Sequence, residues 1–116
     1  MNCFKNHILQ LYNQPFECIK RKTKTIEMRL YDEKRQRINV GDTIIFLKRE
    51  DNSQKIVARV KDLHKFSNFA ELYKCFDKIS LGYDKDETAN PEDMEFYYSK
   101  DDICKYGVIG IEIEVV

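Results

Sequence analysis

The chain has 116 residues, 42% of them apolar and 34% charged, with 20 Lys+Arg set against 20 Asp+Glu. That length suits one domain, over residues 1–116, with a real core, and leaves no room for two. A net charge of zero argues against salt-driven binding to long duplex nucleic acid, which calls for a basic excess, but not against a local basic cleft.

In chain order, His7 to Leu11 reads as a short strand that Asn13-Gln14-Pro15 interrupts. Pro15 suits the first turn of a helix capped by Asn13 or Gln14, and Phe16 and Ile19 follow at helical spacing, so a helix is expected over about 15–21. Thr25 to Tyr31 alternates. Ile26, Met28 and Leu30 fall on one face and Thr25, Glu27, Arg29 and Tyr31 on the other, as in a half-buried strand. The charged run Asp32 to Arg37 reads as a loop or single turn. Val40-Gly41-Asp42 is a turn with Gly41 at positive φ and Asp42 capping through its side chain. Thr43 to Lys48 is a strand, Asp51-Asn52-Ser53 a hairpin turn, and Lys55 to Val60 the returning strand, extending toward Leu63. Ser67 is the expected cap of a helix carrying Leu72, Tyr73 and Phe76. Asp84 to Pro91 reads as a mobile polar loop, and Pro91 to Tyr98 as a helix capped by Asn90. A last helical turn through Cys104, capped by Asp101 or Asp102, ends at Gly107, and Val108 to Val116 is a terminal strand with Glu112 and Glu114 facing outward. The order β-α-β-β-β-α-α-β, with strands running into strands, favours α+β over a doubly wound sheet and points to a small closed or half-closed barrel.

Charge is unevenly spread. Lys20, Arg21, Lys22, Lys24, Arg29, Lys34, Arg35 and Arg37 face three acids between 20 and 37, a net +5, whereas 84–102 holds eight acids against two lysines, a net −6. The two segments are either solvated faces or the two sides of a cleft. Four cysteines, Cys3, Cys18, Cys75 and Cys104, form no C-x-x-C pair and match no zinc spacing. No apolar run opens the chain as a signal peptide would, and none approaches the roughly 20 residues needed to span a bilayer. Reduced, buried thiols in a cytoplasmic protein without a membrane segment are therefore expected. His7 and His64 have no ligand spacing around them, and four glycines make no phosphate loop, so neither a metal nor a cofactor is expected.

Lys24-Thr25-Ile26-Glu27-Met28-Arg29 is the densest group of reactive side chains. On a strand Glu27 and Arg29 share a face at roughly 6–7 Å. Arg29 can grip a phosphate or carboxylate, Glu27 can accept from an amine, and Lys24 sits at the strand entrance. The plain alternative is a surface ion pair. This stretch, continued through Leu30 to the Val40-Gly41-Asp42 turn and joined to the closing Tyr106-Gly107-Val108-Ile109-Gly110-Ile111-Glu112-Ile113, resembles the ASCH family over nearly the whole chain.

The resemblance implies a PUA-like fold, a small β-barrel flanked by helices, with a cleft lined by Lys24, Glu27 and Arg29 and a role in RNA metabolism or translation. As a binding module it would hold RNA, a nucleotide or a nucleoside. Tyr31, Tyr97 or Tyr98 would stack on a base, and Lys20, Arg21, Lys22, Lys34, Arg35 and Arg37 would guide the backbone. As an enzyme it would resemble the small ASCH amidohydrolases that remove the acetyl group of N4-acetylcytidine with a Lys, a Thr three residues on and a downstream Glu. Lys24 matches the Lys, Glu27 stands where the Thr is expected, and Glu92 (or Glu87 or Glu95) would be the Glu. Glu27 would then activate water and Lys24 polarise the carbonyl. Certain members are ribonucleases, for which Lys24 and Glu27 would form the acid–base pair. A third expectation is a protein partner for the acidic stretch 84–102.

Overall fold

The structure, a computed structural model, describes residues 3–116, with Met1 and Asn2 outside the described residues. It is a mixed α+β fold built on one curled five-stranded sheet. The strands are β1 (Asn6–Leu11), β2 (Ile26–Leu30), β3 (Thr43–Lys48), β4 (Asp51–Phe66) and β5 (Val108–Val115), in the order β1-β3-β4-β5-β2. Only β1 and β3 are parallel, with Asn6 opposite Thr43; the other pairs are antiparallel. The helices are α1 (Asn13–Lys20), α2 (Phe69–Cys75) and α3 (Lys100–Tyr106), with short 3-10 helices at Arg35–Arg37 and Pro91–Phe96. The expected succession of strands and helices is present, but 91–96 winds as a 3-10 helix.

β4 is far longer than Lys55 to Leu63. It runs for 16 residues because a bulge between Val60 and Asp62 bends the strand and lets it keep its pairing with β5 around the curve. The hairpin turn lies at Arg49-Glu50, two residues before the expected one, with Lys48 paired to Asp51. Asp42 accepts hydrogen bonds from the backbone N–H of Lys5 and Asn39 and pairs with His7 Nε2, and Gly41 has φ +94°, as the turn requires. Asn90 caps its helix as the sequence suggests, accepting from the Glu92 N–H; the other caps fall one to three residues away. Asn68, not Ser67, accepts from the Glu71 N–H, and Ser99, not Asp101 or Asp102, accepts from the Asp102 N–H. α1 begins at Asn13, whose N–H is satisfied by Glu50 from the β3–β4 turn. The 84–90 loop is tied down: the Lys78 ammonium donates to the carbonyls of Lys85 and Glu87 at 2.7 and 2.5 Å.

Two apolar clusters flank the sheet. One joins β1, β3, β4 and β5 to Phe16 and Ile19 of α1. The other joins Ile26, Met28 and Leu30 to Phe69 and Leu72 of α2, with Leu81 and Met94. Both faces of β2 are therefore covered, and its expected half-buried character is corrected: Glu27 is 4% exposed. Gly110 allows this second layer to close, since a Cβ there would stand 3.1 Å from Ile26 Cγ2 and 3.4 Å from Leu72 Cδ1.

The barrel is not closed. β1 and β2 are the two edges of the sheet and share no backbone ladder. Side chains bridge the gap: Arg29 Nη2 donates to the Gln10 carbonyl at 2.8 Å and Lys34 Nζ to the Ile8 carbonyl at 3.4 Å. Two cations thus satisfy carbonyls on an edge that would otherwise offer itself for pairing. Among the described residues no helix is long and apolar enough to cross a membrane. Cys18 is buried, but Cys3, Cys75 and Cys104 are exposed, against the expectation of four buried thiols; all four are free.

Candidate functional site

The chain leaves α1 through a tight reversal. Lys22 takes a left-handed φ of +68°, and the N–H groups of Thr23 and Lys24 both donate to the Cys18 carbonyl, at 3.1 and 3.2 Å. This aims Lys24 inward at the start of β2. Its stem passes Gly82, where φ is +106° and a Cβ would lie 3.0 Å from Lys24 Cδ. Its ammonium donates to the Leu81 carbonyl at 2.9 Å and stands 3.4 Å from Glu27 Oε1. Arg29 Nε donates to the other oxygen, Glu27 Oε2, at 2.7 Å. Two cations therefore share one carboxylate, and only 5% of Lys24 is exposed. Glu27 and Arg29 are thus not the surface ion pair of the plain alternative: opposite Ile111 and Ile109 of β5, they turn toward the main core and are shielded from solvent.

Burial and mutual attraction act on the three groups in opposite directions. Burial works against the Glu27 carboxylate, but the adjacent Arg29 and Lys24 outweigh it and hold its pKa below the ordinary value. Burial lowers the pKa of Lys24, with Glu27 opposing. Arg29 is raised: burial opposes its charge, but the Glu27 carboxylate prevails. Two basic side chains thus share one carboxylate in a largely buried cluster, an arrangement suited to an anion or a carbonyl dipole.

The cluster opens onto a cleft of about 870 Å³, within the range of small-molecule sites. Arg29 and Arg35 come to it from the basic segment, and Glu87, Glu92 and Asp93 from the acidic one, so parts of both charged segments meet there. Arg35 pairs with Asp32 at 3.0 Å, and its Nε is buried without a hydrogen-bond partner. Tyr97 and Tyr98 line the cleft, Tyr98 also stacking on Phe69 at 6.0 Å and 14°. Burial raises the pKa of both phenols. Tyr73 donates to Tyr83, which donates to Asp93 at 2.7 Å, a chain that ties the 3-10 helix Pro91–Phe96 to the wall.

Several expected contacts lie elsewhere. Tyr31 packs against the main core, its ring carrying the Lys65 ammonium at 4.8 Å, and is outside the cleft. Lys20, Arg21, Lys22, Lys34 and Arg37 are exposed and do not line it, because the reversal after α1 and the 3-10 turn point them outward. Glu92 and Glu87 line it and Glu95 does not. Thr25 borders a second depression of about 470 Å³ with Lys22, Lys61 and Glu112. Lining residues that sequence reasoning missed are Gln10, Tyr12, Arg49 and Phe96; they come from separate segments, and no spacing joins them. Asp62, His64 and Glu112 bring their donor atoms within 4.8 Å across the β4 bulge, the group best placed for a metal; the 2.9 Å His64–Glu112 hydrogen bond accounts for their approach.

A curled α+β half-barrel with a polar cleft between sheet and helical segments defines the class. The family model of the ASCH domain matches residues 9–116, and the chain belongs to that family. Among solved structures it is similar to hypothetical protein PH0355, with 32% identity, 97% of this chain and 100% of that one covered, and a TM-score of 0.80. It is also similar to protein PF0455 from Pyrococcus furiosus, with 29% identity, coverage of 96% and 97%, and a TM-score of 0.66. A mutant of ZmASCH from Zymomonas mobilis shares the fold at 10% identity, with 94% of this chain and 67% of that one covered, at a TM-score of 0.66. No curated protein matches the chain.

Proposed function

We propose that this ASCH domain binds RNA or a nucleotide, with one nucleotide seated in the cleft above Lys24, Glu27 and Arg29. The observation that carries this is the buried cluster of two cations on one carboxylate at the floor of an 870 Å³ cleft. Arg29, Arg35 and Lys24 would meet phosphate or base carbonyls, Glu27 or Glu92 a base amine, and Tyr97 or Tyr98 the base face. The family's association with RNA agrees with this and with a place in RNA metabolism or translation. The five exposed basic residues that lie outside the cleft are not needed to hold one nucleotide; they would meet backbone beyond it.

Amidohydrolysis of an N4-acylated cytidine is the second function, favoured by Lys24, Glu27 and Glu92 lining one cleft. The buried Lys24 would polarise the acyl carbonyl, and a carboxylate would take a proton from water. A hydroxyl nucleophile from Thr25 is disfavoured, because Thr25 borders the other depression. A ribonuclease using Lys24 and Glu27 has less support, since no observation singles it out beyond the cleft that serves the other two readings.

The test is calorimetric titration with cytidine 5′-monophosphate, alongside incubation with N4-acetylcytidine followed by chromatography. Binding that falls at least about tenfold in Lys24→Ala and weakens with salt supports the binding module. Cytidine released by the native protein and not by Lys24→Ala would make it an amidohydrolase. Neither binding nor turnover would sink both.

A further inference from the structure

The mouth of the cleft holds a surface that the cluster at its floor does not explain. Phe96 is 82% exposed, Tyr97 49% and Tyr12 41%, yet the three rings lie together: Phe96 and Tyr97 at 5.2 Å, nearly perpendicular, and Tyr12 and Tyr97 at 5.9 Å. The Arg49 guanidinium lies over the Tyr12 ring, 4.9 Å from its centroid. Tyr12 stands at the N-terminus of α1, Arg49 in the β3–β4 turn, and Phe96 and Tyr97 at the end of a 3-10 helix. The fold thus gathers them from three segments, and all four line the same cleft as Lys24 and Arg29. A phenylalanine so open to water gains nothing from folding.

We propose that this mouth is a second base-binding subsite, in which Tyr12, Phe96, Tyr97 and Arg49 stack the base next to the one held inside, with Tyr98 left for the inner base, so that the ligand is a single-stranded oligonucleotide and not a free nucleoside. The inference rests on the nucleotide reading given above. Exposed rings offer faces for stacking to any base, and an arginine over a ring adds positive charge for the phosphate linking the two nucleotides. Paired bases are already stacked on one another and have no free face to give, which restricts the surface to single strands. An apolar protein partner is less suited, because three of the four groups carry a polar or charged end.

The experiment compares cytidine 5′-monophosphate with hexacytidylate by calorimetry in the native protein, Phe96→Ala, Phe96→Trp, Arg49→Ala and Lys24→Ala. The hexanucleotide is expected to bind at least about tenfold tighter than the mononucleotide. Phe96→Ala, at an exposed position that the core does not need, should remove most of that gain, bringing the ratio of hexanucleotide to mononucleotide affinity toward one. Phe96→Trp should keep the gain, and its indole, in a chain without tryptophan, should be quenched by hexacytidylate and not by the mononucleotide. Arg49→Ala should lower the salt slope of hexanucleotide binding by about one. A hexanucleotide that binds no tighter, or a gain that survives Phe96→Ala, overturns the subsite. So does a native dimer that Phe96→Ala dissociates while RNA binding stays the same. If Lys24→Ala leaves both probes bound as before, the interior nucleotide site fails, while the Phe96 ratio still decides the mouth.

Discussion

Glu27 is the residue on which the cluster depends. Its one carboxylate pairs with two cations, so removing it leaves Lys24 and Arg29 buried side by side with no counter-charge between them. Glu27→Ala is expected to cost about 3–5 kcal/mol in chemical denaturation. Lys24→Ala should cost clearly less, since Glu27 then keeps Arg29. Equal losses for the two variants would mean that the carboxylate is not central. The pH dependence has a definite sign. The pKa of Glu27 is held below 4.5 in the native state, so its contribution is fully present above pH 4.5 and is lost as pH falls through the native value. Lys24 works the other way: its native pKa lies below 10.5, so its protonated form costs stability, and the cost is relieved as pH rises toward 10.5. Glu27→Gln should therefore be less stable at neutral pH but lose stability less steeply below pH 4.5. An unchanged acid slope would contradict the assignment.

At the scale of elements, the site and the seam of the half-barrel are joined through one side chain. Arg29 grips Glu27 with Nε and the β1 edge with Nη2, so it is both a cleft group and a stitch between the first and last strands of the sheet. Arg29→Ala is expected to speed hydrogen exchange in residues 6–11 while β4 and β5, paired on both sides, stay protected. Uniform acceleration across the sheet would instead indicate global loss of stability. Alternation made β2 legible in the sequence, as did the turn at Val40-Gly41-Asp42 and the terminal strand. Local patterns could not show that the second face of β2 is covered, because that face, with Glu27 opposite Ile111 and Arg29 opposite Ile109, turns toward a core built from β1, β3, β4 and α1. The length of β4 was hidden for a similar reason: its continuation depends on a bulge and on a partner strand at the far end of the chain. The displaced caps at Asn68 and Ser99 reflect a choice between adjacent residues of similar capping ability, which local sequence does not decide.

For the whole molecule, zero net charge conceals a division of labour. The basic segment sends Lys24, Arg29 and Arg35 into the cleft and leaves its other five cations outside, and the acidic segment supplies part of the remaining wall. Lys24, Glu27 and Arg29 were legible as a group because six consecutive residues hold them and a strand projects alternate side chains together. Tyr12, Arg49 and Phe96 were not, since only the tertiary fold joins them. Parity puts Tyr31 on the face of Glu27 and Arg29, but it lies beyond the end of β2, where its ring packs on the main core and not in the cleft. The central claim is that the cleft floor receives a nucleotide. The most direct test is amide chemical-shift mapping during titration with cytidine 5′-monophosphate. Shifts concentrated at Lys24, Glu27, Arg29, Gly82, Tyr97 and Tyr98, and abolished in Lys24→Ala, are the expected result. Shifts confined to the exposed face of Lys20, Arg21 and Lys22, or none up to millimolar ligand, would contradict it.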